Sequence, residues 1–312
     1  MTTGAAAFVA RAQAAAAVGR WDMAIAEARR GIAADPTVAE AYALLAQALH
    51  RKDQNDEALS AAQGGLAVAP DHEWLHRLRA NALLALGRAS EALTAIDEAL
   101  RIDPDVAESH GLRAQVLDEL LDQDAAREAC QLGIALSPYS AWLHHVLGDI
   151  ELHAADAPAA ERAYREALRL NPTSATALNN LGVALERQGR DDEALLAFKT
   201  AVLADPTCVL AKRNTHGAIK NLTALAAVAG MTGMGFVKTC AIGSGSIANG
   251  MRDEGAGAML GVILLVGAAV VGGIFIARAV KRARVAARLK RLDPGLWSLF
   301  EKLDRDHRRG RL

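Results

Sequence analysis

The sequence predicts an all-α chain: six helical hairpins stacked in series, then a capping helix, then a transmembrane helical region near the C-terminus. Three observations predict it. Prolines stand at 36, 70, 104, 138, 172 and 206, a 34-residue period without a slip. Small residues recur at fixed phase within that period. Residues 256–277, "AGAMLGVILLVGAAVVGGIFIA", run 22 residues without a charge.

The proline comb sets a register whose copies span 5–38, 39–72, 73–106, 107–140, 141–174 and 175–208, so that the repeats occupy residues 1–208. Position 20 of the register is alanine six times: Ala24, Ala58, Ala92, Ala126, Ala160 and Ala194. Position 8 reads Ala12, Ala46, Ala80, Ala114, Gly148 and Gly182, and position 27 alternates between Gly and Ala. Small residues at fixed phase let two helix backbones approach closely, while larger ones such as Leu45, Leu83, Leu147, Leu181 and Phe198 fill the space between.

Each copy reads as two helices. Asp22, Asp56, Ser90, Asp124 and Asp192 at position 18 are expected to cap the second helix, and Thr37, Asp71, Asp105, Thr173 and Thr207 at position 33 the first helix of the next copy. Proline at position 32 ends the second helix, because it lacks an amide donor and disfavours helical geometry in the residue before it.

A 34-residue helix-turn-helix unit with small residues at positions 8, 20 and 27 and proline at 32 resembles the tetratricopeptide repeat family. The resemblance covers residues 5–208 and implies a right-handed α-solenoid. The first copy departs most, with Arg11 and Ala15 where the family usually has large apolar groups. Residues 209–221 then read as one further amphipathic helix that covers the last exposed face.

The resemblance also implies a function: a peptide or helix of another protein held in a concave groove lined by the first helices. The positions that face this groove in the family carry Gln47, Arg51, Trp74, Arg77, Asn81, Gln115, Trp142, His145, Asp149 and Asn179. Position 9 is an amide in four copies, Gln13, Gln47, Asn81 and Gln115, and such side chains bond an extended backbone without reading its sequence. Trp74 and Trp142 are the expected anchors. Arg77 and Asn81 begin the clamp by which some members grip the acidic end of heat-shock chaperones. Leu112, Trp142 and Val146 interrupt it, so chaperone-tail binding is not expected.

Enzyme chemistry is not expected. No phosphate loop, nucleophile elbow or zinc helix motif occurs, and no cofactor is implied. Cys130, Cys208 and Cys240 lack metal or disulfide spacing. His76, His110 and His144 recur at position 4, but successive repeats hold equivalent atoms about 10 Å apart, too far to share a metal. They replace the aromatic packing residue usual there in the family.

The stretch 256–278 is long enough at 1.5 Å per residue to cross a hydrocarbon core about 30 Å thick. Gly257 with Gly261, and Ala268 with Gly272, have the small-xxx-small spacing that suits helix contact in lipid. Arg278, Lys281, Arg282 and Arg284 follow the span and place the C-terminus in the cytoplasm by the positive-inside rule. The first twenty residues lack a secretory signal, so a second, Gly-rich span within 222–248 is expected to keep the repeats cytoplasmic too.

Residues 278–312 carry a net charge of +8 against −9 for the rest, and 279–312 form a basic amphipathic tail. The tail directly follows a span, which favours a lipid surface over nucleic acid. Together these readings give an adaptor in the cell membrane that recruits a protein partner, with repeats and tail in the cytoplasm. The alternative is a structural subunit of a membrane transport or secretion assembly.

Overall fold

In the computed structural model, residues 3–219 and 285–310 are described. Among them are helices and turns but no strand. Twelve helices form six hairpins: α1 (Thr3–Ala17) with α2 (Trp21–Ala34), α3 (Ala39–Arg51) with α4 (Asn55–Val68), and α5 (Glu73–Ala85) with α6 (Ala89–Ile102). They continue as α7 (Ala107–Glu119) with α8 (Gln123–Leu136), α9 (Ala141–His153) with α10 (Ala157–Leu170), and α11 (Ala175–Arg187) with α12 (Asp191–Ala204). The chain divides into two compact units, Met1–Pro172 with the first five hairpins and Thr173–Leu312 with the sixth.

The six position-20 alanines are all at most 1% exposed, so each hairpin closes on a bare methyl group. Position 8 is matched to position 24. Where position 8 is alanine, position 24 is Ala28, Ala62, Ile96 or Cys130. Where it is glycine, position 24 is an aromatic ring, Tyr164 or Phe198. A methyl group on Gly148 would stand 2.5 Å from the Tyr164 ring, and one on Gly182 equally close to Phe198. The missing Cβ is the space that each ring fills.

The turn inside each hairpin has one design. Gly19, Asp53, Gly87, Leu121, Ala155 and Gly189, all at position 15, have φ between 61° and 73°. The next amide donates back across the turn, Arg20 to the carbonyl of Ala15, Gln54 to Leu49, Arg88 to Leu83, Asp122 to Leu117, Asp156 to Glu151 and Arg190 to Leu185, at 2.9–3.0 Å. This six-to-one bond over a left-handed residue satisfies the end of the first helix.

The same geometry corrects the expected caps. The second helices start one residue after position 16, so Asp22, Asp56, Asp124 and Asp192 lie inside the first turn, where a carboxylate favours the positive end of the helix. Only Asp122 and Asp156 among the position-16 residues cap with a side chain. At the junction between repeats the cap is position 34, where Ser140 and Ser174 accept from the amides of Leu143 and Ala177. Thr37 and Thr207 at position 33 instead donate through N and Oγ1 to Asp35 and Asp205, the latter at 2.8 and 2.6 Å. These bonds hold the Asp205 carboxyl below the usual carboxylate range.

The position-4 histidines clip the same junctions. Nε2 of His76, His110 and His144 donates to the carbonyl of Pro70, Pro104 and Pro138 at 2.7, 2.8 and 3.0 Å. Each ring therefore ties the start of one first helix to the proline that ended the helix before it.

In the second unit, residues 209–219 are helical, as are 285–292, and a C-terminal helix runs Pro294–Arg308. Leu185, Leu195 and Phe198 share one buried core with Ala218, Ile219, Val285, Leu289 and Leu296. Leu289 and Leu296 of this core are fully buried, and Leu303 is 1% exposed. Among the described residues no helix is long and apolar enough to cross a membrane. The predicted spans 222–248 and 256–278, with Gly257, Gly261, Ala268 and Gly272, lie outside the described residues.

Candidate functional groove

The first helices of repeats two to five carry one side of the first unit, and there the side chains converge on a groove of about 460 Å³. Seven residues singled out in the sequence line it together: Gln47, Arg51, Trp74, Arg77, Asn81, Gln115 and Trp142. His50, Leu78, Glu108 and Leu112 complete the lining. Glu108 shares position 2 with Trp74 and Trp142, and His50 is at position 12, so the register carries a signal for both. Leu78 and Leu112 are at position 6 and form the apolar floor.

The groove's cations are held from outside it. The Arg51 guanidinium carbon lies 5.8 Å from the Trp21 ring centroid, a cation–π contact. Arg77 Nε stands 3.2 Å from Glu73 Oε1, an ion-pair contact too poorly aligned to be a hydrogen bond. Glu73 is fixed in turn by the Ser109 hydroxyl, which donates to it at 2.7 Å. Asn81 donates to the carbonyl of Arg77 one turn back and lines the groove.

Trp142 is 38% exposed and lies over Gly111 of α7. A methyl group on Gly111 would stand 2.4 Å from its ring. The indole therefore both plugs the gap between two repeats and presents surface to the groove.

The remaining candidates lie elsewhere. His145 Nδ1 is 3.2 Å from Asp149 Oδ2, and Asp149 Oδ1 accepts from the Tyr164 hydroxyl at 2.7 Å, so this pair is tied into the fifth repeat. Asn179 belongs to the second unit, is 6% exposed, and its carboxamide oxygen accepts from Asn214 at 2.9 Å. The 209–219 helix occupies the side chain that the register assigns to the groove.

Among the described residues no group of three or more His, Cys, Asp or Glu side chains is placed to hold a metal. Burial pushes the Cys130 thiol up to about 12, with the nearby Glu151 carboxylate adding to the shift, so it is not a thiolate at neutral pH.

A stack of helical hairpins with a polar and aromatic groove along its first helices defines a class, the α-solenoid binding scaffolds. Two family models described as tetratricopeptide repeat match this chain, over residues 49–116 and 145–207. A third, described as a bacterial transcriptional activator domain, matches residues 3–68. None of the three describes a catalytic family. No curated protein matches the chain.

Solved structures share the fold. TTC0263, a thermophilic TPR protein of Thermus thermophilus, superposes with a TM-score of 0.54 at 22% identity, over 58% of this chain and 99% of that one. PilW, described as a widely conserved type IV pilus biogenesis factor, gives 0.61 at 15% identity, over 68% of this chain and 99% of that one. The APC/C hetero-tetramer Cut9-Hcn1 gives 0.58 at 16% identity, over 64% of this chain and 42% of that one. At these identities the likeness establishes the architecture alone.

Proposed function

We propose that this protein is a membrane-anchored adaptor that holds a peptide or helix of another protein in the groove of its first unit. The observation that carries the reading is the convergence of Trp74 and Trp142, Arg51 and Arg77, and the carboxamides of Gln47, Asn81 and Gln115 around one groove. Each carboxamide offers a donor and an acceptor, which matches the alternating groups of an extended backbone. The two indoles supply contact area at low entropic cost, and arginine supplies forked donors for carboxyl or carbonyl oxygens.

Anchoring is supported by the uncharged run at 256–277 and by the cationic residues that follow it. In this reading the cell membrane carries the anchor, and the repeats and the C-terminal helix are cytoplasmic. The partner is a protein or peptide, and lipid surrounds only the anchor.

Photo-crosslinking from within the groove tests the adaptor reading. A photoreactive residue at Gln115 is expected to give one discrete adduct in cells, lost in a Gln47→Ala, Asn81→Ala double variant whose helix content and denaturation midpoint match those of the parent. The same adduct obtained equally from exposed Ser60 in α4 would overturn it.

A further inference from the structure

We infer that the sixth repeat clasps the chain on both sides of residues 220–284, so that residues 219 and 285 stand on one side of any membrane. The inference deepens the anchoring proposed above and rests on it.

The clasp is built from residues far apart in the chain. Ala218 and Ile219, which precede the segment, share a buried core with Val285 and Leu289, which follow it, and α12 contributes Leu195 and Phe198 to the same core. Ile219 and Leu289 are fully buried. The His216 ring stacks on Phe300 with centroids 6.0 Å apart, and its Nε2 is 3.5 Å from Asp304 Oδ1. The His307 ring lies 4.8 Å from the same imidazole. Two ion pairs fasten the returning chain to α12: Arg288 donates to Asp192 at 2.8 Å, and Lys199 pairs with Asp293.

Van der Waals contact is incompatible with a bilayer between the partners. A hydrocarbon core is about 30 Å thick, so side chains that share one apolar core cannot emerge on opposite faces of it. A single passage through 256–278 would carry residue 285 to the far side and dismantle the clasp. Two passages return it. The positive-inside rule reaches the same result independently, since Lys212, Arg213 and Lys220 precede the first candidate span and Arg278, Lys281 and Arg282 follow the second.

The test uses the full chain in native membranes. A water-soluble carbodiimide activates the Asp293 carboxyl as an O-acylisourea. The Lys199 amine attacks it, an amide forms, and the reagent leaves as its urea, a net loss of one water. The expected result is a crosslinked peptide joining Lys199 to Asp293, absent in Asp293→Asn. In intact cells a membrane-impermeant thiol reagent should label Asn249→Cys, while Ser60→Cys and Lys302→Cys stay at the level of the unmodified chain.

Absence of the crosslink, with Ser60→Cys and Lys302→Cys labelled from opposite sides, would overturn the inference. A crosslinked chain recovered wholly in the soluble fraction would end the membrane reading while leaving the clasp intact. The two failures are thereby distinct.

Discussion

The Trp142 indole rests on the bare backbone of Gly111, where a methyl group would stand 2.4 Å from Cζ3 and 2.5 Å from Leu143 Cδ2. The two residues lie in neighbouring repeats, and the missing side chain of one is the seat of the other. Because Trp142 is also part of the groove wall, packing between repeats and groove shape are coupled at this point.

Gly111→Ala is therefore expected to cost about 1–3 kcal/mol, the range for overpacking. The half-buried indole is the group free to yield, so it should swing outward. Acrylamide quenching of tryptophan fluorescence should increase in Gly111→Ala, and the increase should vanish when Trp142 is already Phe. Unchanged quenching would show that the indole is not seated on Gly111.

The fifth and sixth repeats solve the same packing problem with a different pair. Gly182→Ala should cost about 1–3 kcal/mol, because Phe198 is fully buried and has nowhere to move. The third repeat supplies the compensating pair, Ala80 with Ile96. Gly182→Ala combined with Phe198→Ile should be less destabilised than the sum of the single variants, with a coupling of about 0.5–3 kcal/mol in denaturant unfolding. Simple additivity would sink this account.

Leu121 stands out among the position-15 residues. It holds φ 63° with 78% of its surface exposed, where three other repeats have glycine. The left-handed conformation costs a side-chain-bearing residue about 1–2 kcal/mol. Glycine gives back part of that through the entropy of the unfolded chain, about 0.5–1 kcal/mol. Leu121→Gly should raise stability by up to about 1 kcal/mol, read as a higher denaturant midpoint at unchanged slope. A lower midpoint would mean that the exposed side chain makes a contact the turn needs.

What the sequence makes legible is what repeats. The proline comb, the position-20 alanines and the small residues at position 8 return every 34 residues, and periodicity exposes any demand that every copy shares. The groove is readable for the same reason, since Gln47, Asn81 and Gln115 hold one position. Features carried by a single pair are not readable. Gly111 looks idle until the ring of the next repeat is laid on it. Asn179 reads as a groove amide until Asn214 is found bonded to it. The partners of the basic tail are hidden because they are remote: Arg288 meets Asp192 across 96 residues. The caps of the second helices read two residues late because position 16 carries Arg, Gln or Asp, and only its two aspartates, Asp122 and Asp156, cap with a side chain.

The clasp also makes an acid-sensitivity prediction. The Lys199 ammonium, bonded to Asp293, holds that carboxyl below the usual carboxylate range, and the Gly295 amide adds to the effect. A carboxyl whose value is depressed in the folded state contributes stability above the unfolded value, about 3.9 for aspartate, and loses it as pH falls through the depressed value. Acidification below about pH 4 should loosen the C-terminal helix from α12, and neutral pH should leave it seated. In hydrogen exchange this appears as lower protection of 294–308 in acid, with the first five hairpins as the internal reference. Asp293→Asn should show the lower protection at neutral pH and lose most of the acid dependence. Were 294–308 equally protected in the variant and the parent at pH 7, the Lys199–Asp293 pair would not be what fastens the helix, and the apolar core of Leu289 and Leu296 with the His216 and Arg288 contacts would be holding it.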